Sequence, residues 1–136
     1  MIRAVIDTNI FVSGFLGKGP PHKILEAWSQ AKFKLIVSDE IVMEYESVLN
    51  RLLDHSPFLV NRTIESVSLH AEYVQPANLS SKLCRDPNDE IFIRTAIAGR
   101  VNYIVSGDKD LLVLKTIMNI EVLSPRAFLQ IIESKS

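Results

Sequence analysis

The run Ile2-Arg3-Ala4-Val5-Ile6 followed by Asp7-Thr8-Asn9 decides how the chain is read: IRAVIDTN is a short, β-branched apolar segment that stops on three polar residues. Five residues are too few for a buried helix but enough for a buried strand, which advances about 3.3 Å per residue. Three further runs share this character, at 33–37 (FKLIV), 102–105 (NYIV) and 120–123 (IEVL), the last closed by Ser124 and Pro125. Longer stretches of helical period separate them, at 22–31, 39–53, 57–72, 87–99 and 125–133. Apolar strands alternating with helices predict an α/β fold with a central parallel sheet. Gly14, Gly17, Gly19, Pro20 and Pro21 mark one loop, and 76–85 (PANLSSKLCR) marks another.

Composition bounds the function. The 136 residues, 47% of them hydrophobic, are enough for one core and predict one domain, 1–136. With 15 basic residues against 16 acidic ones, the formal charge of −1 excludes a strongly cationic nucleic-acid stripe as well as an acidic disordered tail. Any contact with nucleic acid must therefore be local. Cys84 is the single cysteine, so an intramolecular disulfide or a cysteine-rich zinc site is excluded. No apolar run approaches the roughly 20 residues that cross a bilayer, and Arg3 and Asp7 interrupt the first stretch, unlike the core of a secretory leader. The expectation is a soluble, cytoplasmic protein with no membrane partner.

In open parallel sheets, ligands sit beyond the carboxyl ends of the strands, where a polar residue directly after an apolar run has a functional reading beside its ordinary one as a turn or cap. Asp7 follows IRAVI; Asp108 follows NYIVSG, with Asp110 two residues on. Asp86-Pro87-Asn88-Asp89-Glu90 opens a helix, with Asp86 as cap and Pro87 at the first helical position. Asp89 could simply favour the helix dipole, but it precedes Phe92, Ile93 and Ala96 by three, four and seven residues, which places it at the head of the buried stripe, with Glu90 turned away. On the helix at 39–53, Ile41, Val42, Tyr45, Val48, Leu49 and Leu52 form an apolar face flanked by Glu44 and Glu46, and periodicity does not choose between the two acids.

Carboxylates gathered at one cleft repel unless a cation neutralises them, and hard oxygen donors suit Mg²⁺ or Mn²⁺. At least one such carboxyl should have a raised pKa. His22, His55 and His70 are far apart without metal-ligand spacing and read as surface or packing residues. The segment GFLGKG (14–19) lacks the spacing of a phosphate-binding P-loop, and no GxGxxG follows the first strand.

Taken in order, Asp7-Thr8-Asn9, the acid near position 44, Asp89 and Ser106-Gly107-Asp108 resemble the PIN-domain family. The resemblance extends over nearly the whole chain. DTNIFVSGFL, GPPHKILEAW, FKLIVSDEIVMEYESVL, DPNDEIFIRTAIAGRVNYIVSGDKDLLVL and IEVLSPRAFL look like blocks of its branch of toxin components of toxin–antitoxin systems, the VapC-like ribonucleases. The resemblance implies a three-layer α/β/α domain whose acidic pocket binds Mg²⁺ or Mn²⁺ and cleaves RNA. It places the catalytic and metal-binding acids on Asp7, Glu44, Asp89 and Asp108, with Asn9, Ser106 and Asp110 in support, and so selects Glu44 over Glu46. Asn88 stands where many relatives carry another acid. Lys18, Lys23, Arg85 and Lys109 are candidates to hold the RNA backbone, each with a plain surface role as the alternative. A cognate antitoxin and a homodimer are further implied partners, with Trp28, Phe58 and Leu59 as candidates for an apolar contact.

Two rival functions remain. A phosphatase of the haloacid-dehalogenase kind also places Asp after its first strand, but Asn9 stands where such enzymes carry a proton-donating Asp. A PIN-like module that binds RNA or protein without cleavage is the non-enzymatic alternative.

Overall fold

The computed structural model describes residues 1–79 and 87–135. The first half of the chain runs β1 (Arg3–Ile6), α1 (Thr8–Leu16), α2 (Pro20–Ser29), β2 (Lys34–Val37), α3 (Asp39–Leu52), α4 (Pro57–His70) and β3 (Glu72–Tyr73). The second half adds α5 (Pro87–Gly99), β4 (Tyr103–Val105), α6 (Lys109–Leu112), β5 (Thr116–Ile117), β6 (Ile120–Leu123) and α7 (Pro125–Ser134). The strands form one sheet in the order β3-β2-β1-β4-β6-β5.

The centre is β1, where Ala4, Val5 and Ile6 are fully buried. Successive strand residues point to opposite faces, so burial of all three means that both faces are covered. α5 packs over β1, β2 and β4, while α7 lies against β4 and β6 and also meets α2. The expected α/β fold is therefore present. The sheet is mixed at one edge, however: β5 pairs antiparallel with β6, and every other pairing is parallel. Met118 and Asn119, with φ of 47° and 70°, make the turn between Ile117 and Ile120. Left-handed geometry at both turn residues matches the twist of a tight hairpin.

Other elements also depart from the sequence reading. α1 was hidden by Gly14 and Gly17, which read as loop residues. Gly14 is buried instead, and a Cβ on it would lie 2.6 Å from the Pro21 carbonyl oxygen and 2.9 Å from Leu25 Cγ. The missing side chain lets α1 and α2 touch. α2 begins at Pro20 and not at residue 22, because proline in the first turn gives up no intrahelical hydrogen bond. The helix expected to reach residue 72 ends at His70, and β3 follows. Gly14→Ala should destabilise the protein by about 1–3 kcal/mol, since the backbone carbonyl of Pro21 cannot yield as a side chain would. Thermal unfolding is the check, and an unchanged melting temperature would show that the helices part freely.

Arg3 straps the short β3 to the rest of the sheet. Its guanidinium donates to Glu72 at 3.0 and 2.6 Å and to the Gly99 carbonyl at 3.0 and 2.8 Å. The hydrogen bond from Arg3 holds the Glu72 carboxyl below its ordinary pKa.

The chain passes from β1 to β2 on one side and later returns to place β4 on the other. That reversal opens a crevice between the carboxyl ends of β1 and β4, the usual ligand position in such sheets.

Candidate active site

Asp7 leaves β1 into this crevice. Its backbone N–H donates to the Val105 carbonyl at 3.0 Å, which ties it to the end of β4. Its side chain caps α1 by accepting from the Ile10 N–H at 3.0 Å, so the structural reading of an Asp after a strand holds for one oxygen. The other oxygen accepts a hydrogen bond from the Ser106 hydroxyl. Ser106 Oγ in turn accepts from the Asp108 N–H at 2.9 Å, and Asp108 Oδ1 accepts from the Asp110 N–H at 2.8 Å, which caps α6. Asp7 is 5% exposed and Ser106 fully buried, so the chain of bonds runs from the core to the rim.

Asp89, Asp108 and Asp110 each bring a carboxylate oxygen within 4.8 Å of the other two. This group contains no histidine. Asp89 is 6% exposed at the head of the stripe formed by Phe92, Ile93 and Ala96, as its register predicts. Asp110, expected only in support, stands in the trio itself, because the single turn of α6 swings it beside Asp108.

Electrostatics connect the two halves. Burial pushes the Asp7 carboxyl above its ordinary pKa; the hydrogen bonds from Ser106, Ile10 and Gly107 oppose this, and the nearby charge of Asp108 adds to it. The expected raised acid is thus Asp7, but loss of water outweighs repulsion between carboxylates as the cause.

Glu44 lies half-buried on α3, close enough to Tyr45 for its charge, with that of Asp7, to help burial raise the phenol pKa. Tyr45 is fully buried, stacks on Phe11 at 4.1 Å with the rings 6° from parallel, and donates its hydroxyl hydrogen to the Ile6 carbonyl. The sequence offered Tyr45 only as a member of an apolar stripe; its one polar atom, beside a candidate acid, was the available signal. Thr8 is 5% exposed, and its Oγ1 finds no hydrogen-bond partner among the described residues.

The basic candidates separate. Asn9 and Lys18 line one groove with Val12, Leu16, Val48 and Leu52. Lys109 is exposed directly after Asp108. Lys23 faces a different cleft, shared with Leu129 and Ile132 of α7. Arg85 and Asp86 lie outside the described residues.

A model of the PIN domain matches residues 3–110, a span that holds every acid named above. The chain belongs to the PIN-domain family. The crystal structure of PAE2754 from Pyrobaculum aerophilum is similar, with a TM-score of 0.64 and 12% identity over 98% of this chain and 90% of that one. At that identity the likeness concerns the fold alone. A search of curated proteins finds no match. PIN domains are generally nucleases, and this one carries a cluster of acids suited to a cation. No helix among the described residues is long and apolar enough to cross a membrane.

Proposed function

We propose that this PIN domain is a Mg²⁺- or Mn²⁺-dependent endoribonuclease, the toxin of a toxin–antitoxin pair, acting in the cytoplasm. The observation that carries the metal reading is the convergence of Asp89, Asp108 and Asp110 within 4.8 Å beside the Asp7–Ser106 pair. The donor set fits: it is made of hard carboxylate oxygens, the ligands that Mg²⁺ and Mn²⁺ prefer.

Asp7, Glu44, Asp89 and Asp108 would hold the ion directly or through water, with Asp110 beside them. A bound divalent ion supplies charge neutralisation at the scissile phosphate and an acidified water. The chain's own part is to aim that chemistry. Ser106 fixes the orientation of Asp7 and, through the Asp108 N–H, the start of α6. Asp89 or Glu44 would orient the attacking water and take its proton. Lys109, exposed directly after Asp108, and Lys18, in the groove that Asn9 also lines, would hold RNA phosphates.

The test is incubation of the full chain with a broad RNA panel and Mn²⁺, Mg²⁺ or EDTA, in parallel with thermal unfolding. Cleavage that requires the metal, with a melting temperature that rises with metal concentration, is expected. Release of phosphate from a chromogenic monoester without RNA cleavage would instead favour a phosphatase, and metal binding without cleavage a non-catalytic module.

The exposed Phe58 (73%) and Leu59 (42%) on α4 support a homodimer contact; Trp28, half-buried on α2, lines a separate cavity with Phe33 and His70. The antitoxin part of the reading rests on the resemblance of the blocks that run from DTNIFVSGFL to IEVLSPRAFL.

A further inference from the structure

Glu44 and Asp7 belong to different elements, α3 and the β1–α1 junction, and a shared ion would require the two to keep a fixed separation. Tyr45 spans them. It follows Glu44 directly on α3, yet its hydroxyl hydrogen-bonds the Ile6 carbonyl, the peptide group that joins Ile6 to Asp7. The β1–β2 register runs Arg3 to Lys34 and Ala4 to Leu35, two residues short of that carbonyl. Ile6 is fully buried, so its carbonyl needs a partner inside the protein, and Tyr45 is the partner. The ring is held in turn: Phe11 stacks on it, and the Phe11 N–H donates to the Asp7 carbonyl at 3.0 Å. Tyr45 thus touches the peptide on one side of Asp7 through its hydroxyl and, through Phe11, braces the first turn of α1 on the other.

We propose that Tyr45 is a positioning residue for the carboxylate site, its hydroxyl locking the peptide before Asp7 to the helix that carries Glu44. The inference rests on the divalent-metal reading above. Without the hydroxyl, the Ile6–Asp7 peptide keeps only the bond from the Asp7 N–H to the Val105 carbonyl, its tie to α3 is gone, and the Asp7 carboxylate loses its alignment to Glu44. Losing a group that orients a metal ligand typically weakens binding about 10–100-fold, and the lower end is expected where the orientation passes through the backbone.

The experiment is calorimetric titration of Mn²⁺ into the wild type, Tyr45→Phe and Phe128→Leu, each confirmed folded by circular dichroism at the working temperature. Tyr45→Phe keeps the ring and removes only the hydroxyl. Phe128→Leu loosens the ring cluster with Phe33 and Tyr103, near the amino ends of β2 and β4, and serves as the control for general destabilisation. The expected result is a Mn²⁺ dissociation constant raised about tenfold in Tyr45→Phe and unchanged in Phe128→Leu. Equal affinity in Tyr45→Phe and wild type overturns the inference and leaves the metal reading standing, as does equal weakening in both variants. A wild type that binds no Mn²⁺ overturns the metal reading and the inference with it. Should Tyr45→Phe not fold, fluorine NMR of wild-type protein labelled with fluorotyrosine replaces it. The Tyr45 signal should then shift saturably with Mg²⁺ while that of Tyr103 stays still, and an unmoved Tyr45 signal overturns the inference.

Discussion

Asp108→Asn should abolish RNA cleavage while leaving the metal-free protein at least as stable as the wild type. Asp108 sits where both parts of the site meet: it shares the trio with Asp89 and Asp110, and its charge adds to the burial that raises the pKa of Asp7. Asparagine keeps the short side-chain oxygen that caps α6 through the Asp110 N–H, so the turn survives. What disappears is one negative charge, which relieves the remaining acids and weakens their hold on a cation. A metal at 100 times its dissociation constant stabilises a protein by about 2.7 kcal/mol; a hundredfold loss of affinity at the same concentration leaves about 0.4 kcal/mol. Melting temperatures with and without millimolar Mn²⁺, paired with an RNA cleavage assay, read both effects. An active Asp108→Asn, or a wild type indifferent to both metals, refutes the metal-nuclease reading.

The second large effect concerns Asp7 and pH. Its carboxyl is raised chiefly by burial, so between the unfolded and folded pKa values the folded protein holds a proton that the unfolded chain has released. Stability from this group is complete below the unfolded pKa and is lost as pH rises through the folded value, with the penalty full above it. Glu72, lowered by Arg3, acts in the opposite sense, gaining stability as pH rises and losing it as pH falls. The informative quantity is therefore the difference between wild type and Asp7→Asn, not either curve alone. Asparagine retains the cap on Ile10, so metal-free Asp7→Asn should gain on the wild type as pH climbs from 4 to neutrality, while cleavage falls by more than about 100-fold. Parallel melting curves across that range would mean that burial of Asp7 carries no electrostatic cost.

The acids differed in how openly the sequence displayed them. Asp7 and Asp108 each follow an apolar run, and Asp89 heads a periodic stripe, so strand ends and helical register were enough to single them out. Glu44 was indistinguishable from Glu46 until family resemblance separated them, and both are half-buried in the fold. Asp110 enters the trio through α6, whose four residues are too short for a periodic signal. The two-residue strands β3 and β5 exist because neighbours pair with them, and nothing within two residues can announce that. Gly14 misled for a related reason: a glycine that breaks a helix and one that admits a second helix look alike until Pro21 and Leu25 are in place.

The bond from Ser106 to Asp7 closes a loop of 99 positions, and β1 is flanked by strands from both halves of the chain. Contacts between residues so distant in sequence form late, because the entropy of closing the intervening loop must be overcome first. A nascent chain that has exposed β1, α3 and Glu44 therefore has no assembled centre, and neither does a proteolytic fragment that ends before β4. On the metal-nuclease reading proposed above, cleavage would arise only with the completed sheet, so half-made copies would spare the RNA around a translating ribosome.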